Sequence, residues 1–511
     1  MTAIKERNGK MNKTIGLAMA AVALSGAALA QQAVIPMVPD KPWTQAMWLP
    51  RFDAKRALAA QGGYDIVFLG DSITHNWEAE GKGREVWAKN YAEGTYKALN
   101  CGISGDRTEH LLWRLDHGQL DGLNPKALVL MIGTNNTGHR EAWQESPTDT
   151  ILGIQSILQR LTAKYPEAKI ILHPIFPRGA TTNDPCRVRN DLVNSVIRKL
   201  TDGQRILWCD FNSRLLTEDG TLEKTMAPDL LHPIAAGYEI WVEELKPFLD
   251  YALGKTDKAP RSKAKPAPTA LAKAGPKTAI PDVKMYWLAN KNPKVQARLR
   301  DKRAEEYANA DRYYDVIWIG DSITHFWEHK GNDEVFKEKF SAYKIFNLGF
   351  GGDHTENLLW NVKYGGFLDG VHTRLITLMI GTNNTWGDSA EDIAAGIAAC
   401  LKAIREKQPQ AKVLLFPLLP REVAHKRGER NFRRDRGNVD EIMPKQTKVN
   451  ELIRPLADGK DVIFVDLVPK FTDAEGLPDV TLLGDGTHPN AAGCRVWADA
   501  VLPIYKQILG F

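Results

Sequence analysis

Residues 66–78 read IVFLGDSITHNWE, and residues 316–328 read VIWIGDSITHFWE. Each stretch opens on four apolar residues, too few for a helix, which run directly into Gly-Asp-Ser. That pattern predicts a buried strand running into a tight turn that carries a serine. Working outward, the same pairing recurs along the chain. LMIGTNNT stands at 130–137 and again at 378–385; NCGISGDRT at 100–108 faces NLGFGGDHT at 347–355; DLLHP at 229–233 faces DGTHP at 485–489. The offsets between matched blocks are 250, 247, 248 and 256, so order and spacing hold apart from loop-sized insertions. The chain is an internal duplication.

Within each copy short apolar runs alternate with helical patterns. Strands are expected at Ile66–Leu69, Ala127–Ile132, Lys169–Leu172 and Arg205–Cys209, with helices at Thr148–Lys164 and Arg187–Leu200. The second copy predicts strands near Val316–Ile319, Leu375–Ile380, Lys412–Phe416 and Val462–Val465. Buried strands separated by crossover helices make an α/β fold with a parallel sheet covered on both faces. Reactive groups in such sheets collect beyond the carboxyl ends of the strands. Gly70-Asp71-Ser72 and Gly133-Thr134-Asn135 fall there.

Taken singly, each motif has an ordinary structural reading. Gly-Asp-Ser is a common turn, Asp-x-x-His before proline is a capped loop, Asn135 suits a turn, and Gly105 suits a position of positive φ. Together they have the parts of a nucleophilic site. A serine at a strand-to-helix turn faces backbone N–H donors, and a histidine has a carboxylate three residues earlier to orient it. The same set occurs in the same order twice.

These blocks resemble the SGNH hydrolases, also called GDSL-type esterases, over nearly the whole of both copies. The family's first block usually reads Gly-Asp-Ser-Leu, and its leucine is isoleucine here, at Ile73 and Ile323. Gly351-Gly352-Asp353, the Leu-Leu-Trp runs at 111–113 and 358–360, and Pro-Arg at 177–178 and 420–421 are similar to the platelet-activating-factor acetylhydrolase catalytic-subunit-like branch. The resemblance implies two tandem three-layer α/β/α, flavodoxin-like domains with parallel sheets. It implies Ser72 and Ser322 as nucleophiles, His232 and His488 as bases, and Asp229 and Asp485 as their orienting carboxylates. Gly105 with Asn135, and Gly352 with Asn383, would complete the oxyanion holes. Neither a metal nor a cofactor is called for by that chemistry.

The composition, 43% hydrophobic and 25% charged over 511 residues, is that of an ordinary globular protein. The net charge of +5 is unevenly spread: residues 1–30 contribute +3 and residues 255–278 contribute +6, leaving −4 for the rest. A nucleic-acid groove is therefore not expected. Residues 1–30 read as a signal peptide, with Lys13 leading an apolar run that ends in Ala28-Leu29-Ala30, and Met11 is a candidate start. Secretion or a periplasmic location follows as an expectation, without stable membrane insertion. The expected units are 31–254 and 281–511, joined by a solvated Lys/Ala/Pro-rich tether over 255–280. Five cysteines form no C-x-x-C pair, and pairing among Cys101, Cys186 and Cys209 stays open.

Aromatic and polar residues around the motifs point to an acetylated glycan as substrate. Trp77 and Trp327 are candidate sugar contacts, as are Arg178 and Arg421, while Trp113 and Trp360 read as helix core. A lipid-directed acylhydrolase is the first alternative, and one copy acting mainly as a glycan-binding module is the second. The span after Arg421 is longer than its counterpart and carries Lys426, Arg427, Arg430, Arg433, Arg434 and Arg436. It reads as a solvated loop or as a contact for an acidic glycan.

Overall fold

The computed structural model describes residues 32–92, 96–138, 145–271, 275–283, 293–421, 424–426, 429–432 and 439–510. The expected signal segment lies outside them. In the first copy β1 (Ile66–Gly70), β2 (Ala98–Asn100), β3 (Ala127–Met131), β4 (Lys169–Leu172) and β5 (Ile206–Trp208) form one sheet in the order β2-β1-β3-β4-β5. Every pairing in it is parallel. In the second copy β6 (Tyr313–Gly320), β7 (Ile345–Gly349), β8 (His372–Met379), β9 (Lys412–Leu415) and β12 (Val462–Phe464) repeat that order as β7-β6-β8-β9-β12, again all parallel. The fold is α/β, as expected. The edge strands β2 and β7 escaped the sequence reading because three to five residues beside a glycine-rich turn carry little periodic signal.

Alternation along the strands explains the layers. Ile66, Phe68, Val129, Met131 and Ile171 face one side of the first sheet, where Tyr238, Trp241, Leu245, Phe248 and Leu249 of the helix Ala235–Ala252 cover them. Val67, Leu69, Leu128, Leu130, Ile170 and Leu172 face the other side, under the helices Thr108–Asp116, Pro147–Lys164 and Pro185–Ile197. Those helices begin where their sequences provide caps. The Ser146 hydroxyl accepts from the Asp149 N–H before Pro147, and the Asp184 carboxylate accepts from Cys186 and Arg187 before Pro185.

The two copies share one continuous apolar cluster, from Leu128 and Ile157 through Val283 and Leu299 to Ile317 and Leu378. Trp360, read as helix core, is buried and donates its Nε1–H to Thr148 of the other copy at 2.9 Å. Trp113 packs on Trp48 and Phe52. The segment after residue 254 is not a free tether. Ser262 bonds the backbone of Trp208 and Asp210, Ala264 packs on the first copy's core, and Pro268 sits against Gly220. The turn Lys277–Ala279 already belongs to the second copy, since buried Thr278 donates to Asp392 and accepts from Thr355. Lysine and proline density without apolar periodicity does not exclude an extended segment docked through its few apolar and hydroxyl groups.

All five cysteines are free thiols, so none of the open pairings forms. Among the described residues no helix is long and apolar enough to cross a membrane.

Candidate active site

Ser72 opens a single helical turn directly after β1, and Ser322 does the same after β6. The residue before each serine caps that turn: Asp71 Oδ1 accepts the Ile73 N–H at 3.0 Å, and Asp321 Oδ1 accepts the Ile323 N–H at 2.9 Å. Burial raises the Asp71 carboxyl to about 7 against the lowering effect of that hydrogen bond. The turn is thereby held rigidly at the end of the sheet, with the serine on its open side.

The Asp-x-x-His segments close over these serines from the other end of each copy. Ser72 Oγ lies 2.7 Å from His232 Nε2, and His232 Nδ1 lies 2.6 Å from Asp229 Oδ2. The matching distances in the second copy, Ser322–His488 and His488–Asp485, are both 2.7 Å. The three-residue spacing works through the backbone as well. Asp229 Oδ1 accepts the N–H groups of Leu231 and His232, and Asp485 Oδ1 those of Thr487 and His488. Burial works to raise the Asp485 carboxyl, but the hydrogen bonds and charge of His488 hold it at about 2; the same forces lower Asp229. A permanently ionised carboxylate on Nδ1 directs the imidazole proton there and leaves Nε2 as an acceptor toward the serine. The turn passes through the left-handed region at Gly486 (φ 78°) and at Leu230 (φ 57°), where the first copy lacks the glycine.

Asn135 and Asn383 stand at the mouth of the third matched block. Asn135 Nδ2 donates to the carbonyl of Asp106 at 2.8 Å, and Asn383 Nδ2 to that of Asp353 at 2.9 Å. One amide proton is thus committed to orienting the side chain, and the amide has a second. Gly105 (φ 81°) and Gly352 (φ 75°) precede those aspartates. The Asp106 carboxylate is itself clamped in the core, by Trp48 Nε1–H at 2.5 Å and by the buried Arg114 guanidinium. In the second copy Asn361 takes the place of Arg114 and donates to Asp353 at 3.2 Å. Serine hydroxyl, imidazole, carboxylate, a side-chain amide and a positive-φ glycine therefore converge at one sheet end in each copy. Such an array can transfer a serine proton to imidazole and receive a developing oxyanion.

His75 and His325 flank the serines. Burial, then the charges of Arg51 and Arg298, lower them to about 4 and about 3, so both rings stay neutral near pH 7. Ser104 bonds His75 Nδ1 through its hydroxyl at 2.9 Å; Gly351 stands at that position in the second copy.

The expected sugar contacts are corrected in part. Trp77 is 0% and Trp327 2% exposed; each lies in the core beneath its serine turn, against Trp241 and Trp497 respectively. Residues five positions beyond the serine look site-adjacent in sequence, yet the short helical turn rotates them under the sheet end. Arg178 is also buried and donates to the carbonyl and hydroxyl of Thr134, bracing the turn that carries Asn135. Arg421 donates to the Thr382 carbonyl and lies with its guanidinium 4.6 Å from the ring centre of Trp386. The basic span after it holds a short antiparallel hairpin, β10 (Ala424–Lys426) with β11 (Glu429–Phe432). Arg427 and Arg433–Arg436 lie outside the described residues.

Sequence reading missed Trp43 altogether. Its ring covers Gly105 so closely that a Cβ there would meet Trp43 Cη2 at 2.8 Å. No motif marks it: it stands at the N-cap of the helical stretch that begins at Thr44, well upstream of the serine.

A model of the GDSL-like Lipase/Acylhydrolase family matches residues 68–240 and 318–496. Platelet-activating factor acetylhydrolase IB subunit alpha1 of Homo sapiens is 34% identical over 175 residues, 34% of this chain and 70% of that protein. The alpha2 subunit of Rattus norvegicus is 32% identical over 203 residues, 39% of this chain and 80% of that protein. Among solved structures, a putative platelet activating factor from Streptococcus pneumonia matches at 22% identity and TM-score 0.33, over 43% of this chain and 94% of its own. The acetyl xylan esterase AlAXEase matches at 22% identity and TM-score 0.30, over 37% and 98%. Because the matched segments contain both serine–histidine–aspartate sets and most of both sheets, the chain belongs to the GDSL-like Lipase/Acylhydrolase family, through two tandem copies of its hydrolase domain.

Proposed function

We propose that this protein is an exported serine esterase that removes acetyl groups from glycan hydroxyls, and that both copies turn over substrate. The observation that carries the reading is the doubled triad, with serine-to-histidine distances of 2.7 Å in each copy and an asparagine amide pinned to the carbonyl that follows a positive-φ glycine. Ser72 and Ser322 attack the ester carbonyl carbon while His232 and His488 take the hydroxyl proton. The oxyanion is held by the serine N–H, the Gly105 or Gly352 N–H, and the amide of Asn135 or Asn383. Collapse expels the alcohol, which takes the proton from the imidazolium, and water then releases acetate from the acyl-enzyme. Asp229 and Asp485 hold the imidazole in place and offset its charge.

A small acyl group is supported by Trp43, which walls the space beside Gly105 in the first copy. The names of the curated relatives, acetylhydrolases, support it too. Those names also favour a second reading, an acetylated phospholipid as the substrate. One comparison separates the two: acetate released from acetylated xylan and acetylated pectin, against acetate released from a 2-acetyl phospholipid and the chain-length profile on p-nitrophenyl esters. Release from the polysaccharides with a sharp fall beyond the acetate ester is the expected result. Cleavage of phospholipid or long-chain esters with none from polysaccharide overturns it.

A further inference from the structure

The two sites share their triads but not their rims. The ring of Phe326 lies 4.5 Å from that of His488, tilted by 31°, and stacks on His329 at 4.1 Å and 23°. His488 is the group that must hand a proton to the departing alcohol, so a ring packed on its face borders the alcohol half of the ester. The first copy has Asn76 where Phe326 stands and Ala79 where His329 stands. A second ring joins from the Gly-Thr-Asn-Asn-Thr block. Trp386 follows Thr385 directly, where the first copy has Gly138, and is 44% exposed. It is the one aromatic among the conspicuously exposed large hydrophobic side chains of the described residues. Arg421 lies against it, close enough to Asp485 and Asp321 to feel their charge, which places the Trp386–Arg421 pair beside the same triad.

Aromatic faces next to a guanidinium and an imidazole suit a ligand with flat C–H faces and hydroxyl edges. We propose that Phe326 with His329 and Trp386 with Arg421 form an alcohol-side shelf in the second copy. It would bind ring-shaped polyhydroxy alcohols, so that this copy selects acetyl esters of cyclic sugars more strongly than the first copy does. The inference rests on the esterase reading and adds a division of labour to it.

The test uses the full chain with one serine removed, so that each site reports alone. In the Ser72→Ala chain, which reads the second site, kcat and KM are measured on acetylated xylotriose and on ethyl acetate, an ester without a ring. Phe326→Ala and Trp386→Ala added to that chain are each expected to raise KM for acetylated xylotriose about tenfold relative to KM for ethyl acetate. The reciprocal variant guards against a folding defect: Asn76→Phe in the Ser322→Ala chain should lower the KM ratio of the first site toward that of the second. Equal changes on both esters, or no change in the ratio in any of the three variants, overturns the shelf. If the Ser72→Ala chain releases acetate from neither ester, it is the catalytic reading of the second copy that fails instead.

Discussion

Asp149 of the first copy and Arg303 of the second meet as an ion pair of 2.7 Å, with 3% and 5% of their side chains exposed. The same guanidinium holds Glu306 at 2.6 Å, and Trp360 reaches across to Thr148 one residue away. The duplicated domains are thus joined through a dry, charged seam as well as through the covalent connection.

Removing one partner from such a seam should be expensive. Arg303→Met leaves Asp149 buried without its cation, while Glu306 keeps Arg312 at 3.2 Å; the loss costs on the order of 3–5 kcal/mol. Lys199→Ala, which breaks the exposed Lys199–Asp282 pair between the same two units, should cost about 1 kcal/mol or less. Calorimetry of the Arg303→Met chain is expected to show a lowered and split transition, one part for each copy. A single transition at the wild-type temperature would show that the seam carries no stability.

The doubled triad makes a prediction about activity that neither triad makes alone. Ser72→Ala and Ser322→Ala should each retain measurable hydrolysis of p-nitrophenyl acetate, and the double variant should fall by roughly 10⁶-fold in turnover. If either single variant is as inactive as the double one, the other copy contributes no chemistry despite its geometry.

Asn135 and Asn383 give a graded effect, because they act only on the oxyanion. Asn135→Ala in the Ser322→Ala chain, and Asn383→Ala in the Ser72→Ala chain, should each lower kcat by about 10²–10³ with little change in KM. A change confined to KM would assign these amides to ground-state binding.

Acid stability follows from Asp485, whose carboxyl is held at about 2 from an ordinary 3.8. A folded-state value below the unfolded one stabilises the fold above the unfolded value, and that contribution is lost as pH falls through the folded value. The stability gap between the native chain and Asp485→Asn should therefore be full at pH 6 and close between about pH 4 and pH 2. Denaturant midpoints across that range measure it, and a gap that persists undiminished at pH 2 contradicts the assignment.

Sequence legibility followed the range of the interactions. Ser72, His232 and Asn135, and their partners in the second copy, were readable because each sits in a short block whose local geometry is self-sufficient: a capped turn, an Asp-x-x-His loop, an amide pinned to a nearby carbonyl. Trp77 and Trp327 misled because five residues of separation from a serine says nothing about which side of a helical turn a ring faces. Arg178 reads as a sugar contact from sequence, whereas only the fold shows it turned inward with Thr134 within its reach.

The opening stretch IVFLGDSITHNWE and its repeat by themselves determined that two strand–turn–serine units exist and that each belongs to a parallel sheet, because strand burial and turn chemistry are encoded within a few residues. Tertiary structure alone decided that the copies share a core through Asp149, Arg303 and Trp360, that residues 255–271 run against the first copy, and that Trp43 covers one site while Phe326 and Trp386 rim the other. Those outcomes depend on side chains brought together across tens to hundreds of residues, where burial and pairing are settled only when the sheets and their covering helices have packed.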